Sequence, residues 1–390
     1  MALDFDSARI SNPYLTAEHE EWRAQLRRFI DREIMPHAAE WDEAGKIPDE
    51  LWPKAAEVGL LGLGYPEAYG GTSEGIDLWH INIVGEELAR TSVGGISATL
   101  LVHGIGLPPV INFASEAVKQ QVAPAVLEGS KRISLGITEP GGGSDVANLQ
   151  TTARREGDYY IVNGSKTLIT GGMNANWLST AVRTGGDGAR GVSMLLIPMD
   201  AEGVSRTPLD RKQGWWCSDT ATIYFDNVKV PVGNLIGEEN MGFLVIMNNF
   251  NSERMSMCVS MEASARVCLE EAVNWAQQRK TFGKRLADHQ VIRHKIAEMK
   301  QRLNACQAYI NHCSREIVEG RPNPGDIAML KVQCSQTMEF CAREASQILG
   351  GASYLRDNRV ERIYREVRVN AIGGGSEEIM RDLASRQYGV

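Results

Sequence analysis

Between residues 130 and 236 the chain carries seven short runs rich in β-branched and aromatic residues, while on both sides of that stretch apolar residues recur at helical spacing. The runs are RISLGIT, TTARREG, YYIVNG, KTLIT, WLSTAVRT, VSMLLIPM and ATIYFDNVKV, punctuated by EGD, NGS and GGDGAR. Such runs, closely spaced and separated by turn residues, predict a compact β domain. Before it, Thr16 is placed to cap a helix whose apolar face is Trp22, Leu26, Phe29 and Ile30 and which ends before Pro36. Further helices are expected at about 49–60, 76–91 and 115–128. After it, three stripes repeat at spacings of three and four. They run from Cys258 to Ala272, from Ile292 to Ile310 and from Leu330 to Ile348, the last with Asp326 as its expected cap. The chain therefore divides into a helical domain (1–129), a β domain (130–236) and a helical bundle (237–390), an α+β multidomain architecture.

Composition narrows the function classes. A net charge of −8 argues against a nucleic-acid binder, which needs a basic face. No apolar run has the length of a membrane span, so no membrane insertion is expected. The opening MALDFDSARISNPYLTAEHEEW shows no basic region followed by an apolar stretch, so no signal peptide is expected. The seven cysteines lack CxxC spacing and read as small buried hydrophobes in a reducing compartment, which makes a cytoplasmic location the default expectation. The sequence contains no HExxH, no metal-ligand cluster, no GxSxG elbow and no Rossmann glycine motif, so no metal is expected.

Three segments carry chemistry. TEPGGGSDV (138–146) follows an expected strand, and its glycines let backbone N–H groups approach a ligand, with Thr138 and Ser144 adding hydroxyls; alone, it is simply a turn. RKTFGKRLADHQ (279–290) sets four cations around Phe282 in an otherwise acidic chain, which suits a phosphate beside a flat ring and equally suits a solvated loop. GGGSEE (373–378) suits a helix start, with Ser376 as cap and the carboxylates at the positive end of the dipole.

Together with GYPEAYGG, NGSKTLITGG, FDNVKVPVGNLIGEENMGF and QILGG followed by YREVRVNAIGGGSEEIM, these segments resemble the acyl-CoA dehydrogenase family along essentially the whole chain. The resemblance implies an N-terminal helical domain, a central β-barrel-like domain and a C-terminal four-helix bundle, assembled as a homotetramer with one FAD per subunit. It implies FAD-dependent dehydrogenation of an acyl-CoA thioester to the trans-2-enoyl-CoA: a carboxylate takes the α proton while the β hydrogen leaves as hydride to flavin N5. Electrons would pass to an electron-transfer flavoprotein.

By position in the motifs, Leu135, Ile137, Thr138, Gly143 and Ser144 would line the flavin, with Leu168, Ile169 and Thr170 behind it. Leu168 stands where the family commonly has tryptophan. Arg279, Lys280, Thr281, Phe282, His289 and Gln290 would reach a neighbouring subunit's FAD, as would Gln347, Gly350 and Gly351. Ser376 and Glu378 would lie beside the cofactor, and Ser144, Asn251, Arg254 and Gly375 would hold the thioester arm.

One position departs from the common pattern. Where many members carry the catalytic glutamate, this chain has Gly374. In members resembling the long-chain and isovaleryl-CoA dehydrogenases the base sits on the bundle helix before an arginine, which here is Glu253 followed by Arg254. Gly374 would then keep a backbone N–H for the thioester oxygen, with the flavin ribityl hydroxyl as the second donor, and its missing side chain would clear volume for a substituent on the acyl chain. Two alternatives stand beside this reading. Glu377 or Glu378 could substitute, or no base exists, as in flavin-dependent monooxygenases and oxidases on the same scaffold.

Overall fold

The computed structural model describes residues 2–390. Helices α1 (Ala17–Glu33), α2 (Ala38–Ala44), α3 (Leu51–Glu57) and α4 (Leu78–Ala89) are followed by α5 (Gly94–Leu100), α6 (His103–Gly106), α7 (Pro108–Phe113) and α8 (Glu116–Leu127). α1 starts after Thr16, whose backbone N–H donates to His19 Nδ1 at 2.9 Å, and buries Leu26, Phe29 and Ile30 on one face. The short helices α2 and α5–α7 lie outside the expected stretches, because a few turns interrupted by Gly and Pro carry too little periodicity to stand out.

The central domain holds β1 (Ile133–Gly136), β2 (Thr152–Glu156), β3 (Tyr159–Thr170), β4 (Trp177–Arg183), β5 (Val192–Pro198), β6 (Val204–Pro208), β7 (Thr220–Pro231) and β8 (Leu235–Ile236). They form one mixed sheet in the order β6-β7-β3-β2-β4-β5-β8, with β1 parallel to β4. The runs expected as separate strands at 159–164 and 166–170 are one strand, β3, whose register slips between Val162 and Gly164 and again between Lys166 and Ile169. β5 is buried along nearly its whole length because both faces are covered. Val192, Met194 and Leu196 pack toward α7, α8 and α9, whereas Leu195 and Ile197 face the interior that the sheet wraps around.

The C-terminal domain begins with α9 (Gly242–Gln278), then a small hairpin of β9 (Lys280–Thr281) and β10 (Lys284–Arg285). α10 (Gln290–Val318), α11 (Pro324–Leu349), α12 (Arg359–Ile372) and α13 (Glu377–Tyr388) complete it. α11 packs on α9, α10, α12 and α13, and the expected stripes meet in one core. Its cap is Asn323 rather than Asp326. The Asn323 Oδ1 accepts from the N–H groups of Gly325 (2.9 Å) and Asp326 (3.3 Å), with Pro324 at the first helical position. Asp326 instead accepts hydrogen bonds from the Tyr309 and Tyr388 hydroxyls. All seven cysteines are free and buried. Among the described residues no single helix is long and apolar enough to cross a membrane.

Candidate active site

The third and fourth turns of α9, rather than its start, and the glycine turn before α13 are brought together by side chains from two helices. Arg254 is buried and donates from Nε to the Gly374 carbonyl at 3.2 Å and from Nη1 to Asn251 Oδ1 at 3.3 Å. From the opposite side, the fully buried Lys331 of α11 donates to the Gly375 carbonyl at 2.7 Å. The turn is thus held between α9 and α11. Gly374 and Gly375 both have positive φ, +66° and +102°, a backbone that glycine adopts without the strain a Cβ brings. Among the described residues the Gly374 N–H meets no acceptor.

Glu253 directly precedes Arg254, about three turns into α9. The residue is half-buried, and the protein around its carboxyl strips enough water to push its pKa up to about 7, against the opposing pull of the Arg254 cation. The other acidic candidates differ. Burial would raise the Glu377 pKa, but hydrogen bonds from Ser335 Oγ (2.7 Å), Gln336 Nε2 (2.9 Å) and Arg381 outweigh it and hold the carboxylate below its usual range. Glu377 is therefore a fixed anion tied to α11. Glu378 is exposed, and Ser376 caps α13 through the Ile379 N–H. The volume expected to be clear beside Gly374 is filled: a Cβ built there lies 2.5 Å from Met257 Sδ.

The second part of the site comes from the sheet. The 138–144 loop is anchored by an ion pair that motif reading passed over. Lys166 of β3, fully buried, donates to Glu139 Oε1 at 2.8 Å and to the Ile137 carbonyl at 3.1 Å. Glu139 also accepts from the backbone N–H groups of Gln150 (2.5 Å) and Thr151 (2.9 Å). Desolvation lowers the Lys166 pKa to about 8, with Glu139 working against the shift. The signal was present: Glu139 sits inside TEPGGGS and Lys166 inside NGSKTLIT, but neither spacing reveals that they meet.

Next to this anchor, the Thr167 N–H donates to the Thr138 carbonyl at 2.8 Å. The β3 bulge then puts Leu168 at φ +58°, with 64% of its surface exposed. Leu135, Thr138 and Thr170 are half-buried. Gly143 and Ser144 are exposed, and Gly143 passes the Thr138 methyl. Ile137 and Ile169 point into the two cores, so only their backbones face outward. α6 links the two halves of the site. Gly106 touches the backbone of Ile133 and Ser134, and the neighbouring Ile105 carbonyl accepts from Asn249 of α9 at 3.1 Å.

The remaining candidates lie elsewhere on the surface. Arg279, Lys280 and Gln290 are exposed, and Phe282 is 96% exposed at the tip of the β9–β10 hairpin. Thr281 is half-buried and its hydroxyl lies 3.3 Å from His289 Nε2. Gln347, Gly350 and Gly351 are exposed at the end of α11.

Comparison with known proteins decides what this constellation is. The N-terminal, middle and C-terminal domain profiles of acyl-CoA dehydrogenase match residues 16–130, 134–228 and 240–389. The chain belongs to the acyl-CoA dehydrogenase family. The long-chain specific acyl-CoA dehydrogenase of Sus scrofa mitochondria is 34% identical, over 95% of this chain and 86% of its own length. The acyl-CoA dehydrogenase of Geobacillus kaustophilus superposes with a TM-score of 0.93 at 33% identity, covering 97% of this chain and all of that one. A glutaryl-CoA dehydrogenase of Mycobacterium smegmatis, solved in complex with FADH2, superposes with a TM-score of 0.90 at 25% identity, covering 96% of each chain.

This acyl-CoA dehydrogenase is an FAD-dependent enzyme. Its residues fit that cofactor. The exposed Leu168 offers an apolar surface to a flat ring, with hydroxyls at Thr138 and Thr170 close by. A Cβ built on Gly141 or Gly142 meets nothing within 4 Å, so the loop leaves open backbone for a ligand. Arg279, Lys280 and Lys284 are exposed cations of the type that pairs with phosphate, whereas Arg285 is engaged by Asp288 at 2.9 Å.

Proposed function

We propose that Glu253 is the base that removes the α proton of the acyl-CoA thioester, giving the trans-2-enoyl-CoA as product. The observation that carries this reading is that half-buried Glu253 directly precedes Arg254, whose guanidinium holds the Gly374 carbonyl, and burial pushes the Glu253 carboxyl up to about 7. A base with its pKa near working pH combines sufficient basicity with a deprotonated fraction large enough to act. Glu377 is held as a hydrogen-bonded anion and Gly374 has no side chain, so neither competes.

The Gly374 N–H, which meets no acceptor among the described residues, would donate to the thioester oxygen as enolate-like charge develops there. Arg254 and Lys331 fix the turn that aims it, so its orientation costs no reorganisation during the reaction. Ser144, Asn251 and Gly375 would hold the thioester arm. Leu135 through Ser144 and Leu168 to Thr170 would hold the flavin, with Ser376 and Glu378 beside it. FAD, when bound, supplies the acceptor for the β hydrogen. Phe282, with the exposed residues of 279–290 and 347–351, would complete a neighbouring subunit's FAD site in a homotetramer. An electron-transfer flavoprotein would take the electrons onward.

Anaerobic titration with acyl-CoA tests the assignment. Glu253→Gln should retain FAD and bind acyl-CoA but reduce its flavin at least about 100-fold more slowly. Wild-type bleaching in that variant would refute it.

A further inference from the structure

The methionine that fills the space beside Gly374 has a position of its own in the site. Met257 lies four residues after Glu253 on α9, so the two side chains share one face of the helix. It is partly buried and rests with one side against the bundle core. A Cβ at Gly374 would approach its Sδ to 2.5 Å and its Cε to 3.4 Å. Gly375 is closed in the same manner by Met380, but Met380 is fully buried in a separate core and cannot reach the site. The turn cannot retreat, because Arg254 grips the Gly374 carbonyl and Lys331 the Gly375 carbonyl. The adjustable wall beside the Gly374 Cα is therefore the thioether of Met257.

We propose that Met257 is a specificity-determining residue, whose thioether occupies the volume next to the reacting carbons and disfavours acyl groups substituted at the α or β carbon. The inference rests on the reading that the acyl thioester is processed between Glu253 and Gly374. Deleting a side chain on the turn does not by itself open room for a branch; the methionine has taken that room. A thioether with three rotatable bonds can yield to a small substituent at some cost, so it biases selection without forbidding the branched chain.

The test compares holoenzyme variants on the straight acyl-CoA of the chain length that wild type oxidises fastest and on its 2-methyl and 3-methyl derivatives. Met257→Ala should raise the branched-to-straight ratio of kcat/KM about tenfold or more, the scale set by a methyl group in an apolar pocket. Met257→Leu, close in volume, should leave the ratio near wild type. An unchanged ratio in Met257→Ala would overturn the proposal, as would an equal gain in Met257→Leu. Calorimetric binding of the matching straight and 2-methyl enoyl-CoA products to oxidised Glu253→Gln, with and without Met257→Ala, needs no proton transfer. It reads Met257 independently of the base: a better relative affinity for the 2-methyl product after Met257→Ala supports the proposal even if Glu253 is not the base, and no change contradicts it.

Discussion

At the scale of single residues, the site places an acid where ionisation is costly. Burial raises the folded-state pKa of Glu253 to about 7 from an ordinary value of 4.5. Between those two values the native state holds a proton that the unfolded chain releases, so this group's contribution to stability declines as pH rises through the window. The full penalty, at most about 3 kcal/mol, stands above pH 7. Glu253→Gln should therefore raise the melting temperature by roughly a few degrees at pH 8 and very little at pH 4. Melting curves of the two proteins at both pH values check this, and equal shifts at the two pH values would contradict the linkage.

Among the secondary-structure elements, β3 carries the most consequence for the cofactor side of the site. Its buried Lys166 secures Glu139, and Glu139 secures the N–H groups where the 138–144 loop returns to β2. Removing one partner of a buried ion pair strands the other, so Lys166→Met should destabilise by about 3–5 kcal/mol. Pairing it with Glu139→Gln should recover part of that loss in chemical denaturation, and a double variant no better than the single would contradict the coupling. This anchor also marks where sequence reading stops. The bundle stripes and the β runs were legible because burial imposes a period on them, and the glycine turns because few residues tolerate positive φ. Lys166 with Glu139, and Lys331 with Gly375, pair across 27 and 44 residues, and no local spacing encodes that. The Asn323 cap was missed for a different reason. Asp326 is a good capping residue by type, but Pro324 fixes the helix start three residues earlier than that cap implies. Glu253 could be named from the chain, yet its raised pKa follows only from the packing around it.

Across the whole molecule, large apolar side chains remain on the C-terminal surface: Phe282 is 96% exposed, Tyr354 90% and Leu355 65%. Such exposure is expected of a surface that another protein covers, and in the proposed homotetramer these residues meet a neighbouring subunit. Phe282→Asp should shift sedimentation toward smaller species and lower FAD occupancy together; a change in neither would contradict that placement. The N-terminal helices join the sheet to the bundle close to the proposed base, since α6 bridges β1 to Asn249 of α9, one turn before Glu253. The most direct test of the account is the second-order rate constant of flavin reduction, measured by anaerobic rapid mixing from pH 5.5 to 9. Wild type should climb through a single ionisation near 7 and then level off, while Glu253→Gln stays slow throughout. A flat wild-type profile, or a glutamine variant that reproduces the wild-type curve, would contradict it.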